Sequence, residues 1–410
     1  MSTEIRPAHS PLGASGAERW MNCPGSVALI KELDLPQSDE PDFRSLGTSA
    51  HAAANEALVN GLDAWETVGE RHGKHVVDVE MADAIQVFLS EVRRCIKPDS
   101  KVYYEFGVDA PEFHKDFYGT LDVGIVTGTH MAIRDYKHGE GIAVDVEDNP
   151  QMMYYAYGLL RHHPEVETVS LGIVQPRGFH PDGPIRIWDE VDGEPLTADY
   201  IRNWAETTLL NAMLATEIDN DLAAGEWCRF CPAKLVCPLM TSLFGAAMQA
   251  DPKKVVKLTD ASIGRSYQYV PAVKSYLKAL EEEAYRRLSN GAELPGVKLV
   301  PKKANRVFNA NVTKVVDGKE VTINIADFMR EKYGDEAFTT PELKSPAVLE
   351  KIDAEAKKLV HEFAYTPNNG TTVALENDKR PAVKIQTTLE AFPGAAALAA
   401  GSVDNAEQAE

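Results

Sequence analysis

Two aspartates and a lysine with the spacing of a metal site occur within residues 118–155. Asp122 stands early in one apolar run, and Asp135 ends the next. Lys137 follows Asp135 by two positions, so on a strand these two side chains point the same way. Two carboxylates and an ammonium at one edge of a sheet are costly without a balancing cation. Such a set can hold a hard divalent ion beside a cationic group, which is what phosphodiester hydrolysis requires.

The same residues also fit an explanation without metal, in which Asp122 belongs to a turn and Asp135 with Lys137 forms a surface ion pair. The local pattern favours the metal site. Residues 121–126 and 131–134 are apolar runs that flank a Thr-Gly-Thr-His turn, which predicts a β-hairpin. A Gly-Thr pair precedes the first aspartate, so both carboxylates are expected on the strands.

A histidine far upstream could complete the ligand set. His51 lies in an alanine-rich helix for which Thr48 or Ser49 is the expected cap and Gly61 the expected end. A lone histidine is more often structural, but imidazole can join carboxylates around Mg²⁺ or, more readily, Mn²⁺.

Gln151 and Tyr155 form a second addition to this set. They lie four positions apart in a helix that Asn149 and Pro150 are expected to begin, so they share one face. Amphipathic helices contain many such pairs. In company with the other residues, this pair could orient the lysine or a phosphate group.

The cysteines form a second constellation. Cys228, Cys231 and Cys237 make a C-x2-C-x5-C cluster, and Cys23 lies far upstream. Thiolates at this density bind zinc or an iron–sulfur cluster, and the alternative is a set of buried, unliganded thiols. Cys95 has no partner at a suitable spacing and is expected to be a buried hydrophobic residue.

The elements that must position these groups follow from periodicity and turn signals. The predicted order is helices, three strands, a helix, a strand and a long helix, which indicates an α/β core with a mixed sheet. The predicted elements are helical pieces within 17–30 and 76–94, strands at 101–108, 121–126, 131–134, 166–175 and 185–189, and helices from 150 and over 196–218.

Composition narrows the possible functions. The chain has 410 residues, 44% of them hydrophobic and 25% charged, as in a globular protein with an ample core. No apolar run is long enough to cross a bilayer, and the amino terminus lacks the pattern of a secretory signal, so a cytoplasmic location and no membrane partner are expected. The whole net charge of −20 resides in residues 1–250. Any contact with nucleic acid must therefore come from local basic groups and bound metal.

Three regions are predicted along the chain. Residues 1–248 would hold both constellations, 249–395 would form a smaller α+β region of unknown role, and 396–410 would be a disordered tail. The smaller region is expected to contain a strand at 320–325 and helices around 326–333 and 345–363.

The motifs together resemble those of RecB-like nucleases in the PD-(D/E)XK superfamily, and the resemblance covers about residues 9–245. The order and spacing match, and the cysteine layout is similar to the iron–sulfur arrangement of AddB-type and CRISPR-adaptation nucleases. The likeness is closest to a phage- and prophage-borne branch known only as a domain of unknown function. The matching motifs are GTxxH (Gly47 to His51), GTLD (Gly119 to Asp122), DYK (Asp135 to Lys137) and QxxxY (Gln151 to Tyr155).

The resemblance implies a restriction-endonuclease-like core, with a mixed central sheet flanked by helices, and a role for each matching residue. The ligands of Mg²⁺ or Mn²⁺ would be His51, Asp122, Asp135 and the carbonyl of Tyr136. Lys137 would position or activate the attacking water and stabilise the transition state, supported by Gln151 and Tyr155. A [4Fe–4S] cluster would staple the two ends of this region together, held by Cys23, Cys228, Cys231 and Cys237.

The activity that the resemblance implies is metal-dependent hydrolysis of DNA, with exonuclease action favoured over endonuclease action. It would serve phage recombination or end processing, in the host cytoplasm, with a phage recombinase or a single-strand-binding protein as a possible partner. Arg177 and the basic run 298–306 are candidates for following the DNA backbone. Two alternatives stay open: a catalytically silent DNA-binding or assembly subunit, and zinc in place of the iron–sulfur cluster.

Overall fold

The chain divides into two compact units in this computed structural model, residues 1–276 and 277–410. The boundary between the units lies 28 residues later than residue 248, the end of the first region predicted from the sequence. The described residues are 7, 9–33, 42–218, 221–248, 259–302, 306–316, 319–339, 342–350, 352–365, 370–375 and 381–383. The predicted tail at 396–410 lies outside them.

A five-stranded mixed sheet forms the centre of the first unit, which confirms the predicted α/β class. Its strands pair in chain order, and all neighbours are antiparallel except β3 and β4. Antiparallel neighbours can be joined by tight turns, whereas the parallel pair needs a crossover, which α5 provides. The strands are β1 Lys101–Asp109, β2 Tyr118–Thr127, β3 His130–Tyr136, β4 Thr168–Val174 and β5 Ile185–Trp188.

Helices cover both faces of this sheet. The side chains of α3 and α4 pack on one face with Val123 and Ile125. On the other face α5 packs with Met131 and Ile133, and α1 and α6 join the same core. The helices of the first unit are α1 Ala17–Asn22, α2 Gly25–Glu32, α3 Asp42–Asn60, α4 Val79–Cys95, α5 Pro150–Leu160, α6 Ala198–Trp204, α7 Leu210–Ile218, α8 Pro238–Met248 and α9 Asp260–Tyr267, followed by α10 Val270–Ser289, which contains the unit boundary.

Local sequence signals explain where several of these elements begin. The Asn149 side chain accepts hydrogen bonds from the N–H groups of Gln151 and Met152, with Pro150 at the first helical position. At the hairpin, Gly128 takes the left-handed conformation that a two-residue turn between β2 and β3 requires. The predicted hairpin and the predicted helix from residue 150 are therefore confirmed.

The expected cap of α3 is wrong. The helix begins at Asp42, directly after Pro41, so Thr48 and Ser49 lie within it and His51 is not in its first turn. The Ser49 hydroxyl donates to the carbonyl of Ser45, a bond that a serine makes inside a helix. Gly47 does not break the helix, because tertiary packing of the alanine face outweighs its propensity.

The second unit contains antiparallel strand pairs and helices. Its strands pair as Val297–Pro301 with Thr371–Leu375, Val307–Phe308 with Ala364–Tyr365, Asn311–Val316 with Lys319–Asn324, and Phe338–Thr339 with Glu342–Leu343. Its helices are α11 Ile325–Tyr333, α12 Pro346–Leu349 and α13 Ala354–Phe363. The helix expected over 345–363 is in fact two, because the Asp353 side chain caps a new start by accepting from the N–H of Ala356.

No helix among the described residues has both the length and the apolar character needed to span a membrane.

Candidate functional site

Three carboxylates stand in one row across the first three strands. The pairing register places Glu105 opposite Asp122 and Asp122 opposite Asp135, because Tyr104 pairs with Val123 and Val123 with Arg134. The ladder bonds are interrupted at this row. Like charges directly opposite one another destabilise a sheet, so the row requires compensation.

The pleat of the sheet reverses at the same row. Tyr104 packs against the core under α3 and α4, whereas Phe106 packs against the core under α5. Residues i and i+2 of a regular strand share a face, so the strand rotates between them. Glu105 carries this rotation with a φ of +44°, which a side-chain-bearing residue seldom adopts. Leu121 and Val123 divide between the two cores in the same way, which leaves Glu105 and Asp122 between the two cores.

His51 meets this row from α3. Its Nδ1 lies 3.3 Å from Asp122 Oδ2, so the structure brings together two predicted ligands that are far apart in sequence. Ligand atoms of His51, Glu105 and Asp122 lie within 4.8 Å of one another, a spacing that suits one divalent ion. Sequence reasoning missed Glu105 as a ligand. The signal was present, since an acidic residue lay in a predicted strand next to the hairpin.

Asp135 is held by different partners, at the start of α5. Gln151 bridges it to the lysine, because Gln151 Nε2 donates to Asp135 Oδ1 at 3.0 Å and Lys137 Nζ donates to Gln151 Oε1 at 3.0 Å. Asp135 Oδ2 is buried and lies 2.9 Å from Lys137 Nζ, in ion-pair contact.

Lys137, Asp135 and Gln151 are in mutual contact, and Tyr155 lies close to them. The predicted lysine–glutamine contact is present, and Tyr155 lies one turn further along α5, with its ring next to Gly119. Burial, and next the negative charge of Asp135, raise the pKa of Tyr155, so its hydroxyl stays protonated and can donate.

Charge is not balanced along the row. Burial, and next the charge of Asp122, raise the pKa of Glu105, and burial likewise raises the pKa of Asp135 despite the nearby ammonium of Lys137. Burial opposes ionisation of Asp122 too, but its contacts with His51 and with a backbone N–H outweigh burial and lower its pKa. Two carboxyl groups are thus hard to ionise without another cation, as is typical of an ion-binding site.

The two cationic groups of the site, unlike these two carboxyl groups, are stabilised in their charged forms. Burial opposes the charged form of His51, but the Asp122 carboxylate outweighs it and raises the pKa of the imidazole. In the same way the Asp135 carboxylate outweighs burial and raises the pKa of Lys137. Lys137 therefore stays an ammonium at neutral pH, a donor rather than a base.

Tyr136 contributes to the site through its backbone N–H, which donates to Asp122 Oδ2 at 2.8 Å. Its side chain is fully buried, and its hydroxyl lies 2.8 Å from His138 Nδ1. Arg177 Nη1 is 2.8 Å from the other ring nitrogen of His138. Burial, and next the positive charge of Arg177, lower the pKa of His138 to about 4, so this imidazole is neutral and accepts from the guanidinium.

Arg177 is therefore not an open contact for DNA, contrary to the expectation from its loop. Its side chain is only 17% exposed and is paired with Glu80 and Glu140. Of the basic run 298–306, Arg306 pairs with Glu350, and residues 303–305 lie outside the described chain.

The four clustered cysteines surround one cavity. Cys23 follows α1, and Cys228, Cys231 and Cys237 lie between α7 and α8, so the structure brings the two ends of the region together. The N–H of Ala223 donates to Cys23 Sγ at 3.3 Å across 200 residues of chain. Groups of three ligand atoms within 4.8 Å occur among the described residues, but none of those groups contains a cysteine. The remaining walls of the cavity are Arg19, Ser26, Leu29, Leu222, Ala223, Trp227, Lys234 and Met240.

Burial dominates the electrostatics of this cavity. It raises the pKa of Cys228 and of Cys231, and it lowers the pKa of Arg19 against the opposing effect of the nearby cysteines. Thiols this hard to ionise need a metal to become thiolates, and Arg19 lies beside the cavity to offset part of their charge.

Fold and site define a mixed α/β protein with a five-stranded central sheet, a row of carboxylates at that sheet and a separate cavity lined by cysteines. The chain belongs to the family described as "Protein of unknown function (DUF2800)", whose model matches residues 9–381. It is also similar to a solved protein described as "Crystal structure of SSO0001", at 14% identity and a TM-score of 0.26. That match covers 58% of this chain and 89% of the other.

Proposed function

We propose that the protein is a divalent-metal-dependent deoxyribonuclease that removes nucleotides from DNA ends. The observation that carries the proposal is the carboxylate row with His51 at one end and the Lys137–Gln151 unit at the other. In structural ion pairs each carboxylate lies beside its own cation, but here three carboxylates share two cationic groups, His51 and Lys137. The motif resemblance supplies the substrate class.

His51, Asp122 and Glu105 would hold the ion, and Asp135 stands next in the row, in contact with Lys137 and Gln151. A bound Mg²⁺ or Mn²⁺ would stabilise the negative charge that develops on the phosphate during hydrolysis. Manganese suits this mixed nitrogen and oxygen set better than magnesium does.

The chain's own groups would orient the reaction. Lys137 Nζ, fixed by Asp135 and Gln151, would donate a hydrogen bond to the attacking water or to a phosphate oxygen. The Tyr155 hydroxyl, one turn along α5, would donate to the DNA backbone. The Tyr136 N–H keeps Asp122 Oδ2 directed towards His51.

The cysteine cavity supports an iron–sulfur cluster more than zinc. Zinc–sulfur bonds of about 2.3 Å would place tetrahedral ligands about 3.8 Å apart. Here the cysteines enclose a cavity with apolar walls, which suits a larger group held by four thiolates. Cys23, Cys228, Cys231 and Cys237 would hold a [4Fe–4S] cluster in a structural role.

Degradation of end-labelled linear and circular DNA with Mn²⁺ or Mg²⁺ tests the proposal. We expect linear DNA to be degraded from its ends, and we expect Asp122→Asn and Lys137→Met to lower the rate by at least about 100-fold, as loss of a group that stabilises the transition state does. Lys101→Met, exposed at the start of β1, is the matched control and should leave activity unchanged. Full activity of Lys137→Met would exclude this mechanism.

The runner-up is a silent subunit that binds DNA without cutting it. The net charge of −20 weakens non-specific contact with DNA and so counts against rapid turnover on DNA. Binding of DNA without cleavage of single- or double-stranded substrates in Mn²⁺ would select this alternative. The absorbance of anaerobically purified protein at about 400 nm would separately distinguish iron–sulfur from zinc.

A further inference from the structure

A second group of possible metal ligands lies on the outer side of α3. Glu56 projects from that helix, and Glu70 and His72 belong to the segment that enters a short hairpin, Arg71–His72 paired with His75–Val76. Ligand atoms of Glu56, Glu70 and His72 lie within 4.8 Å of one another. None of these residues belongs to the carboxylate row or to the cysteine cavity.

The histidine of this group is buried and unsatisfied. Its side chain is 10% exposed, and its Nε2 atom is buried with no hydrogen-bond partner among the described residues. A buried imidazole nitrogen without a partner destabilises the folded protein. The two carboxylate oxygens nearest to it, on Glu56 and Glu70, stand at 3.8 and 3.9 Å, too far for hydrogen bonds.

These separations are close to those of a metal site. Bonds of about 2.1 Å from zinc to nitrogen or oxygen place tetrahedral ligands about 3.4 Å apart. The observed distances exceed this by only a few tenths of an ångström. Both glutamates are half-exposed, so small side-chain rotations can close the gap and leave an outward position for water.

We propose that His72, Glu56 and Glu70 form a second metal site that binds a divalent transition ion, Zn²⁺ in the first instance. One imidazole nitrogen and two carboxylates are a common ligand set for zinc, and the ion would give the ring nitrogen of His72 a partner. The ion ties the short hairpin to α3. Glu56 and His51 are five positions apart on that helix and therefore point about 140° apart, so this site holds the helix on a side different from the one that bears His51.

Zinc binding to purified protein that retains its cysteine-bound cofactor tests the site. The background is Asp122→Asn, which weakens the carboxylate row as a competing site and makes the result independent of nuclease activity. We expect Glu70→Gln and His72→Gln each to weaken one zinc-binding event by more than about 10-fold, a loss seen even for residues that only support a ligand. Competition with a chromogenic chelator measures it.

The controls and a second readout keep the test decisive. Glu190→Gln, at an exposed glutamate of another short hairpin, and His130→Gln, at an exposed histidine of β3, should bind zinc as the background does. Zinc should also slow hydrogen exchange of the amides of residues 71–76 in the controls and not in Glu70→Gln. Because Glu70 is half-exposed, that variant reports on the site even if His72→Gln folds poorly. Unchanged zinc binding in Glu70→Gln would overturn the proposal.

Discussion

Glu105 has a backbone conformation that costs about 1–3 kcal/mol for a residue with a side chain, and it stands opposite another carboxylate. Neither feature helps the fold. Strain and like-charge contact persist where the surrounding structure imposes them, and here both occur beside His51 and Asp122. At the scale of single residues, Glu105 thus combines two features that oppose folding, and both lie beside the proposed metal ligands His51 and Asp122.

Glu105→Gln should separate these demands. It removes one of the adjacent negative charges, so we expect the metal-free protein to gain about 0.2–1 kcal/mol of stability. We expect Mn²⁺ binding to weaken by more than about 10-fold, because one ligand charge is lost. Thermal unfolding without and with Mn²⁺ measures both effects, and Glu190→Gln is the matched control. Unchanged Mn²⁺ affinity would remove Glu105 from the site.

The roles of single residues were only partly accessible from sequence. Asp122, Asp135 and Lys137 could be found because charges interrupt apolar strands at a fixed spacing. Glu105 was visible only as an acidic residue in a predicted strand with ordinary alternation, and the pairing with β2 is needed to show that it stands opposite Asp122. Arg177 was misjudged because its partners, Glu80 and His138, come from other elements that no local pattern connects to it.

At the scale of elements, α4 is joined to the sheet by a buried ion pair beside the site. Arg134 Nε donates to Glu91 Oε1 at 2.8 Å, and both side chains are 3% exposed. Arg134 also donates to the carbonyl of Ser170 and meets the thiol of Cys95. Cys95 is therefore not the simple hydrophobic residue that its sequence context indicates. Because Arg134 immediately precedes Asp135, this network fixes the strand that carries the site.

Breaking this pair from one side should be costly. Glu91→Gln leaves the Arg134 charge buried without its partner, and we expect a loss of about 3–5 kcal/mol. Arg134→Met combined with Glu91→Gln should lose less than Glu91→Gln alone, because no charge is then left unpaired. Urea unfolding at pH 7 measures this. A double variant as unstable as the sum of the two single variants would contradict it.

The same pair should respond to acid with a defined sign. Burial would raise the pKa of Glu91, but its bonds to Arg94 and Arg134 outweigh burial and hold it below the ordinary value of 4.5. Its stabilising contribution is therefore complete above pH 4.5 and is lost as the pH falls through the lowered value. The stability difference between the parent and Glu91→Gln should shrink over that range. A constant difference would show that the pKa of Glu91 is the same in the folded and the unfolded protein.

The order of elements was predictable, and their limits were less so. The sheet, the hairpin and α5 follow from alternation, turn residues and the Asn-Pro start. The beginning of α3 and the division at Asp353 were missed, because both depend on packing or on a cap that competes with a continuous helical pattern.

At the scale of the whole molecule, the cysteine cavity brings together residues that are far apart in the first unit. Cys23 lies near the start, and the other three cysteines lie 200 or more residues later. A link that closes so long a loop removes much of the freedom of the unfolded chain. The approach of Cys23 to the three later cysteines could be predicted only because it is a cysteine too.

Cys23→Ala should therefore prevent binding of the proposed cofactor and lower the unfolding free energy by about 3–5 kcal/mol, the range expected when a long loop is no longer closed. Iron and zinc content, visible absorbance and thermal unfolding together measure this. Cys95→Ala is the matched control, because Cys95 lies on α4, away from the cavity, and should retain the full cofactor content. Equal cofactor content in both variants would show that Cys23 is not a ligand.

The reversal of the pleat at Glu105 and Asp122 restricts how this protein can change. Deleting one residue from either strand would turn every later side chain of that strand to the opposite face of the sheet. Each of the two flanking helical layers would then face the wrong side chains. The acidic pair can therefore be transferred to another scaffold only together with both strands and both layers. Insertions are more easily accommodated at the Gly128 turn, which lies beyond the row and leaves its alignment intact.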